Sequence, residues 1–384
     1  MTQERVHWIG TTGFDYKQRR NFTDLPLQKY RYRRVYNYLS PFMRLYYGLR
    51  HRHHPLAGNL YADLGLNQCD LHHFFFTVSM GPVPWVVSFS DVVPRWIINT
   101  ENKIGFGLRL LAGEYCKQLI ALSENCYQNQ LRFLERYPRW RDLIVSKLRV
   151  MPPAQPLLIR DYADKALDAN ALTLTLVGED FFRKGGKEVL RAVTALLQEG
   201  YALRLNIVSR LNYGDYASRS TKADRLEAER IISAYPRQIK LYRRLPNEVV
   251  LELFKGTHVG LLPTYDDAYG YSVLEAQAAG CPVITTDVRV MPEINGEPYG
   301  WLIETPRGEW GTAVLDTSAD RERFSRMVTD GLYATLKAIA DAPDLVRARG
   351  VSAMERIRCF HNPQKNAMEL ERLYDAILNG ELAS

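Results

Sequence analysis

Hydrophobic positions in the C-terminal half of the chain follow two alternating patterns. Short apolar runs rich in β-branched residues predict buried strands at 171–178, 203–209, 239–242, 258–263, 281–286 and 301–304. Apolar residues at helical spacing lie between several of these runs and predict helices at 187–198, 223–235, 248–256 and 271–280. Strands and helices that alternate with short connections are typical of a parallel sheet covered by helices on both faces. This half of the chain therefore predicts a doubly wound α/β domain.

The pattern in the N-terminal half is less regular. Residues 6–10 predict a first strand that ends in a glycine loop, Gly10 to Gly13, and 84–90 and 119–122 predict later strands. The stretch 149–156, RVMPPAQP, contains three prolines, which is typical of a stiff linker. A chain of 384 residues fits two domains of ordinary size. We therefore predict one domain over 1–155 and a second over 156–360.

Composition excludes several classes of protein. The 46% hydrophobic and 24% charged content is that of a globular protein. Five scattered cysteines without a CxxC pair argue against a disulfide framework or zinc knuckle and favour a reducing compartment. The N-terminus MTQERVHWIG has no apolar core of a secretory signal. The uncharged stretch 72–90 contains Gly81, Pro82 and Pro84, so it predicts two buried strands rather than a membrane-spanning helix. We expect a cytoplasmic chain without a transmembrane segment.

Positive charge is concentrated near the N-terminus. Residues 17–54 contain ten Lys or Arg and one acid, so the segment carries 10 − 1 = +9 whereas the whole chain carries +7. Arg31, Arg33 and Arg34 stand among six tyrosines there. Such a patch suits an acidic acceptor or an anionic membrane surface, with about 1 kcal/mol per basic residue near the surface. A solvated face without a partner is the alternative, and because no nucleic-acid module is recognisable, nucleic acid is not predicted as a partner.

The stretch 262–287, LPTYDDAYGYSVLEAQAAGCPVITTD, is the most informative one. Asp266 and Asp267 follow a predicted strand, and Gly270 precedes a predicted helix. The first N–H groups of a helix lack internal partners, so the start of this helix suits an anion such as a diphosphate. Those N–H groups belong to Tyr271, Ser272 and Val273. Asp267 and Glu275 border the same expected crevice, where carboxylates suit hydroxyl groups that donate hydrogen bonds.

A second stretch, LVGEDFFRKGGK at 176–187, places two cations after another predicted strand. Because ligands in open parallel sheets bind beyond the carboxyl ends of the strands, we expect Arg183 and Lys184 beside the same crevice as Asp267. The two cations could neutralise a departing nucleoside diphosphate, as catalysts do when negative charge develops. The joint occurrence of the two stretches favours a functional site over two solvated turns.

Together these stretches resemble the retaining glycosyltransferases of family 4, which have the GT-B fold. Their pattern, E-G-F-G-x-x-x-L-E-A-x-A-x-G-x-P-V-I, is matched from Asp267 through Leu274-Glu275-Ala276 to Pro282-Val283-Ile284, and their basic-Lys-Gly turn is matched by Arg183-Lys184-Gly185. The resemblance implies two Rossmann-like doubly wound domains that face each other across a cleft. It also implies that residues 361–384 form a C-terminal helix that crosses back to the N-terminal domain.

The resemblance implies a role for each matched residue. Glu275 would hold the donor ribose, Asp267 the donor sugar, and Arg183 with Lys184 the diphosphate. Backbone groups from Gly270 to Val273 would face sugar and phosphate. On the N-terminal side, the glycine loop is expected to contribute Gly10 and Gly13 to donor binding. No metal and no cofactor are expected.

The chain departs from the family pattern in three places. The first acid is Asp267 rather than Glu, and Gly178 stands where a second basic residue is frequent. Many members have a histidine after the N-terminal strand that 84–90 resembles, and the nearest residues here are Ser90 and Asp91, which become catalytic candidates. His72 and His73 lie beside three phenylalanines and are interpreted as structural.

The resemblance, together with the basic segment, implies a retaining transfer from a UDP- or GDP-sugar to a saccharide or lipid-linked saccharide in bacterial surface glycan synthesis, such as lipopolysaccharide or polysaccharide. The enzyme would work in the cytoplasm, peripherally at the inner membrane face. The alternatives are a nucleotide-sugar-binding module with weak or no catalysis, and another GT-B enzyme such as a phosphorylase or epimerase. No convincing pyridoxal lysine supports a phosphorylase.

Overall fold

The computed structural model describes residues 6–49, 59–95, 101–214 and 216–381. The chain forms two compact units. The first consists of Met1–Ala154 with His361–Ser384, and the second is Gln155–Phe360. Arg50 and Arg52 of the basic segment lie outside the described residues, as does the side chain of Arg44.

The first unit is built on a six-stranded sheet in the order β2-β1-β4-β6-β7-β8. All its strand pairs are parallel. Its strands, together with the separate pair β3 and β5, are β1 (His7–Thr11), β2 (Tyr30–Arg34), β3 (Leu60–Tyr61), β4 (Leu71–Phe75), β5 (Val78–Ser79), β6 (Trp85–Phe89), β7 (Cys116–Ala121) and β8 (Leu148–Val150). The uncharged stretch 72–90 thus contains two sheet strands, as predicted.

Helices cover both faces of this sheet. Those of the first unit are α1 (Tyr16–Gln18), which continues into a π-helix at Arg19–Thr23, α2 (Leu39–Leu49), α3 (Glu101–Ala112), α4 (Glu124–Leu134), α5 (Pro138–Val145) and, from the C-terminal segment, α13 (Pro363–Leu378). Neighbouring residues of β6 show why both faces are buried. Trp85 and Val87 belong to one apolar cluster with α3 and α4, whereas Val86 belongs to another with Leu370 and Tyr374 of α13. Alternate side chains of a strand point to opposite faces, so both faces need helices.

The second unit has the topology predicted from the sequence. Its six strands are all parallel, in the order β11-β10-β9-β12-β13-β14. They are β9 (Leu172–Val177), β10 (Leu203–Val208), β11 (Ile239–Tyr242), β12 (Val259–Leu262), β13 (Val283–Thr286) and β14 (Trp301–Ile303). The helices are α6 (Gly186–Gln198), α7 (Lys222–Ala234), α8 (Asn247–Lys255), α9 (Tyr271–Ala278), α10 (Met291–Asn295), α11 (Ser318–Asp341) and α12 (Asp344–Phe360). The predicted α/β class is confirmed for both units.

Two sequence-based expectations about the first unit are corrected. Gly10 lies inside β1, because this strand runs to Thr11, so the predicted loop from Gly10 begins two residues later. The basic segment 17–54, for which no strand was predicted, contains one, since Tyr30–Arg34 forms the edge strand β2 beside β1. Its side chains are largely polar and exposed, and the hydrophobic pattern therefore did not reveal it. Among the described helices, none combines the length and apolarity that crossing a bilayer requires.

Candidate functional site

The site is defined by the point where the second sheet changes its direction of winding. From β9 the chain proceeds outward through β10 to β11, and it then returns to place β12 on the other side of β9. The carboxyl ends of β9 and β12 lie side by side at one edge of the sheet. Such switch points form the crevices in which open α/β sheets bind ligands. Both informative stretches of the sequence begin at this edge.

The loop after β9 is fixed by apolar anchors and a glycine. Phe181 and Phe182 are buried, and they hold the loop that carries Arg183 and Lys184. Gly185 has a φ of 78°, and a Cβ atom there would lie 2.2 Å from the carbonyl oxygen of Pro263 at the end of β12. Only glycine permits this backbone conformation at so close an approach. The two cations are therefore held against the end of β12.

Lys184 forms an ion pair with Asp267 across the switch point. The Nζ atom contacts Oδ2 of the carboxylate, and both side chains are largely buried, with 13% and 15% exposed. Burial raises the pKa of Asp267, but the adjacent Lys184 ammonium and the Arg183 guanidinium outweigh burial, so the pKa lies below its usual value. The stem of Lys184 also passes over Gly178, where a Cβ atom would lie 2.8 Å from Cγ of the lysine. Gly178 thus makes room for this lysine.

Asp267 is held through its other oxygen as well. Oδ1 accepts hydrogen bonds from the backbone N–H groups of Tyr269, at 3.3 Å, and Gly270, at 3.2 Å. The carboxylate is consequently ionised and fixed in orientation. A carboxylate has about four lone-pair sites, so Asp267 can accept further hydrogen bonds besides those from Lys184 and the two N–H groups. Gly270 itself has a φ of 76° and directly precedes α9.

Arg183 is oriented by a carboxylate and a carbonyl. Its Nη2 atom lies 2.5 Å from Oδ2 of Asp180, and its Nη1 atom donates to the carbonyl oxygen of Asp266 at 2.5 Å. In return, the N–H of Tyr265 donates to the carbonyl oxygen of Arg183 at 2.8 Å. The loops after β9 and β12 are therefore joined by hydrogen bonds in both directions.

Asp266 faces a different set of partners from Asp267. Its Oδ1 lies 2.5 Å from Nε of Arg289, and the hydroxyl of Tyr216 donates to its Oδ2. Neither Arg289 nor Tyr216 stood out in the sequence, because each is far from Asp266 along the chain and belongs to no pattern. The structure therefore adds these two residues to the candidate site.

The start of α9 corrects one expectation about the three N–H groups. Val273 donates its N–H to the carbonyl oxygen of Gly270 at 2.8 Å, so this group already has a partner. Tyr271 and Ser272 come before it and begin the first turn of α9. The anion-facing part of α9 is thus shorter than the sequence predicted.

Glu275 lies one turn further along α9. Its side chain is 3% exposed, and its Oε1 atom accepts a hydrogen bond of 3.3 Å from Nδ2 of Asn247. Asn247 is the first residue of α8, whose capping position is Pro246. The Asn247 side chain serves to position Glu275.

The N-terminal candidates all belong to the first unit. Ser90 and Asp91 directly follow β6; Ser90 is 7% exposed, and the carbonyl oxygen of Asp91 accepts a hydrogen bond of 3.0 Å from Sγ of Cys126. Gly10 serves packing, because a Cβ atom there would lie 2.5 Å from the ring of His72. Gly13 follows β1 at the carboxyl edge of the first sheet.

The three arginines of the predicted patch do not share one face. Arg31 and Arg33 alternate with Tyr32 along β2, so their side chains point to one side, whereas Arg34 points to the other. The Arg33 guanidinium lies 5.0 Å from the ring of Trp8. Nη1 of Arg31 donates to the carbonyl oxygens of Leu27, Gln28 and Tyr30, so this arginine holds the turn before β2.

The two histidines are placed as the sequence predicted. His73 is buried, with Nδ1 2.6 Å from the hydroxyl of Tyr374 and Nε2 2.8 Å from Oγ of Ser88. Burial lowers the pKa of His73 to about 3 and that of His72 to about 4. Both rings are neutral core residues, which confirms their structural interpretation.

Comparison with known proteins supports the reading of the second unit. Residues 160–329 match the family described as "Glycosyl transferases group 1". The D-inositol 3-phosphate glycosyltransferase of Streptomyces avermitilis is 26% identical over 173 residues, 45% of this chain and 33% of that protein. The protein of the same name from Nocardia farcinica is 27% identical over 237 residues, 58% of this chain and 50% of its own. The chain thus spans between a third and a half of the length of these relatives.

Solved structures show the fold over nearly the whole chain. HepE of Anabaena, determined in complex with UDP and glucose, has a TM-score of 0.57 and 11% identity and covers 96% of this chain and 100% of its own. At this identity the likeness establishes the fold alone. The chain has a fold of the GT-B type, and residues 160–329 match the group 1 glycosyl transferase family.

Proposed function

We propose that the chain transfers a sugar from a nucleotide-sugar, with the second unit holding the donor at the switch point between β9 and β12. The observation that carries the proposal is the Lys184–Asp267 ion pair in a group 1 glycosyl transferase domain. It brings together a cation that can bind a diphosphate and a carboxylate that can accept hydrogen bonds from sugar hydroxyls. A solvated turn would not keep both side chains largely buried.

The cations of the site share one task in this proposal. Lys184 and Arg183 stabilise the negative charge that develops on the departing diphosphate, a kind of stabilisation worth about 3–4 kcal/mol per well-placed donor in other enzymes. Tyr271 and Ser272 at the start of α9 add N–H groups and the positive end of the helix dipole. Charge stabilisation of this kind supports departure of the leaving group, the step that retaining and inverting transfers share.

The carboxylates would recognise hydroxyl groups. Asp267 is ionised and fixed by Lys184 and by two backbone N–H groups, so its remaining accepting capacity suits a hydroxyl of the donor sugar. Glu275, positioned by Asn247, suits the ribose hydroxyls. The proposal includes no metal, because Asp266 and Asp267 already face the cations Arg289 and Lys184.

The proposed acceptor is a saccharide or a lipid-linked saccharide of the bacterial surface. A phosphorylated cyclitol is the second candidate, because the similar proteins are named for inositol 3-phosphate. The expectation of peripheral membrane binding is supported by α2, on which Phe42 is 72% and Leu45 64% exposed. These residues are three positions apart and share one face of the helix, and they lie within the basic segment 17–54.

Turnover of nucleotide-sugars tests the proposal. The protein is incubated with UDP-glucose, UDP-N-acetylglucosamine and GDP-mannose, with and without a bacterial membrane extract, and release of the nucleoside diphosphate is measured. We expect release from one donor, accelerated by the extract, and its loss in the Asp267→Asn variant. Nucleotide binding without any turnover would identify the inactive module instead.

Vesicle binding tests the membrane proposal separately. Flotation with phosphatidylglycerol vesicles is compared for the wild type, Arg33→Gln/Arg34→Gln and Phe42→Ser/Leu45→Ser, with phosphatidylcholine vesicles as the neutral control. We expect both double variants to float less with the anionic vesicles. Binding that neither variant reduces would contradict the proposed surface.

A further inference from the structure

A third loop reaches the switch point, and the proposed function assigns it no role. It follows β10, and the structure describes its residues 209–214 and 216–220. Strand β10 pairs with β9 on the side away from β12, so this loop approaches the crevice opposite the loop that carries Asp266 and Asp267. The carboxyl ends of three neighbouring parallel strands thus contribute one loop each.

Contacts within this third loop fix its shape. Leu211 is fully buried, and its backbone N–H donates to Oγ of Ser209 at 3.2 Å. The N–H of Gly214 donates to Oγ of Ser220, also at 3.2 Å, and joins two parts of the loop. Ala217 has a φ of 56°, a left-handed conformation that a non-glycine residue keeps only where its surroundings hold it. The preceding side chain therefore has a defined position.

That side chain belongs to Tyr216, which contacts both of the other loops. Its hydroxyl donates to Oδ2 of Asp266 after β12, and its ring centroid lies 5.9 Å from Cζ of Arg183 after β9. A guanidinium within about 6 Å of a ring centroid is attracted to the face of the ring. The side chain of Tyr216 is 65% exposed, so it adds little to the core, and these two contacts are its main interactions.

Asp266 is a firm anchor for this tyrosine. Its Oδ1 atom lies 2.5 Å from Nε of Arg289, and the two side chains are only 15% and 16% exposed. Its carbonyl oxygen accepts a hydrogen bond from Nη1 of Arg183 at 2.5 Å. Asp266 therefore holds both the Arg183 guanidinium and the ring that lies beside it. A cation shielded from water by a ring interacts more strongly with an anion than a fully solvated one does.

The arrangement gives Tyr216 a task at the donor site. We propose that Tyr216 is a positioning residue for Arg183, whose guanidinium its ring covers and aligns on the donor diphosphate, while the bond from its hydroxyl to Asp266 keeps the ring in place. The inference rests on the proposed function, which gives Arg183 a diphosphate to bind. The alternative is an exposed tyrosine that affects only its own loop, and in that case its effect would not depend on Arg183.

A double-mutant cycle on nucleotide binding tests the proposal. Dissociation constants for UDP, GDP, ADP and dTDP are measured by titration calorimetry for the wild type, Tyr216→Ala, Arg183→Gln and the double variant. We expect one diphosphate to bind the wild type and Tyr216→Ala to weaken it about fivefold, the upper value for a cation–π contact at an exposed site. In the Arg183→Gln background the same substitution should change the affinity very little, because residues that act through each other are not additive.

Two further variants serve as controls. Tyr213→Ala removes another exposed tyrosine of the same loop and should bind the diphosphate as the wild type does. Tyr216→Phe keeps the ring and loses the bond to Asp266, so its affinity should lie between those of the wild type and Tyr216→Ala. The midpoint of unfolding without nucleotide should be the same for Tyr213→Ala and Tyr216→Ala, since both side chains are exposed.

The outcomes separate this inference from the proposed function. Equal losses on Tyr216→Ala in the two backgrounds, or wild-type affinity of Tyr216→Ala, would overturn the positioning role and leave the donor site intact. Wild-type affinity of Tyr216→Phe would overturn the anchoring by Asp266. Failure of all four diphosphates to bind the wild type would overturn the proposed function and this inference together.

Discussion

The polar residues singled out in the two sheets differ in position, although both sheets are six-stranded, parallel and wound in both directions from an early strand. In the first sheet the polar side chains of β4 and β6 lie within the strands, where His73 bonds to Ser88 and to Tyr374 of α13. In the second sheet Lys184 and Asp267 lie beyond the strand ends and pair with each other. The polar groups inside the strands of the first sheet join it to α13, whereas we propose that those beyond the strand ends of the second sheet bind a ligand.

The largest expected effect is a loss of activity on substitution at the carboxyl edge of the second sheet. Lys184→Ala should lower kcat/KM for the nucleotide-sugar by about 100- to 1000-fold, because it removes the cation that stabilises the departing diphosphate. The midpoint of unfolding should also fall, because Asp267 is largely buried and loses its cation, so the rates are compared at a temperature at which both proteins are folded. The matched control is Lys240→Ala, an exposed lysine of β11, which should retain the wild-type rate. Normal turnover of the Lys184→Ala variant would contradict a role of this lysine in binding the departing diphosphate.

The second prediction concerns the glycine that brings the two loops together. Gly185→Ala should lower the free energy of unfolding by about 2–3 kcal/mol, because alanine is strained at a φ of 78° and its Cβ would contact the Pro263 carbonyl. Urea unfolding measures the loss. Gly214→Ala is the control, since nothing lies within 4 Å of a Cβ atom there. Equal stability of the two variants would show that the loop relaxes freely.

The third prediction concerns the buried network of the first unit. Tyr374→Phe removes the hydroxyl that bonds to Nδ1 of His73 and leaves a buried nitrogen without a partner, at a cost of about 1–3 kcal/mol. Chemical unfolding should show this loss, while the thermal shift caused by a nucleotide should be unchanged. A variant that is as stable as the wild type, or that loses nucleotide binding, would contradict the structural role assigned to this network.

The fourth prediction is a pH dependence that belongs to the first unit. The pKa of His73 is lowered to about 3 in the folded protein, so below the ordinary histidine pKa of about 6.5 the unfolded chain binds the extra proton. Stability should therefore fall as the pH falls, by about 1.4 kcal/mol per pH unit for this residue. His73→Gln should reduce the slope by that amount between about pH 5.5 and pH 4, which lies below the unfolded pKa and above the folded one. An unchanged slope would mean that His73 is protonated in the fold.

The sequence allowed much of the fold to be predicted, and the reasons are local. Apolar runs gave the six strands of the second sheet to within about two residues, and the prolines of 149–156 lie where the two compact units divide. β2 was missed because its sequence, YRYRR, alternates tyrosine with arginine and contains no aliphatic residue, although Tyr30 is buried. The histidines were interpreted correctly from their aromatic neighbours.

The candidate site was only partly predictable, for a different reason. Arg183, Lys184, Asp267 and Glu275 could be singled out because each follows a strand end or matches a motif. Arg289, Tyr216 and Asn247 could not, since they reach the site through the tertiary fold alone.

The measurement that tests the central claim most directly is thermal unfolding with UDP, GDP, ADP and dTDP, for the wild type, Glu275→Ala and Tyr374→Phe. The shift is taken for each protein against its own ligand-free state. One nucleotide at about 100 times its dissociation constant should stabilise the wild type and Tyr374→Phe by about 2.7 kcal/mol, and Glu275→Ala should lose most of this gain. Equal stabilisation of Glu275→Ala and the wild type, or no stabilisation by any nucleotide, would contradict a donor site at the switch point of the second sheet.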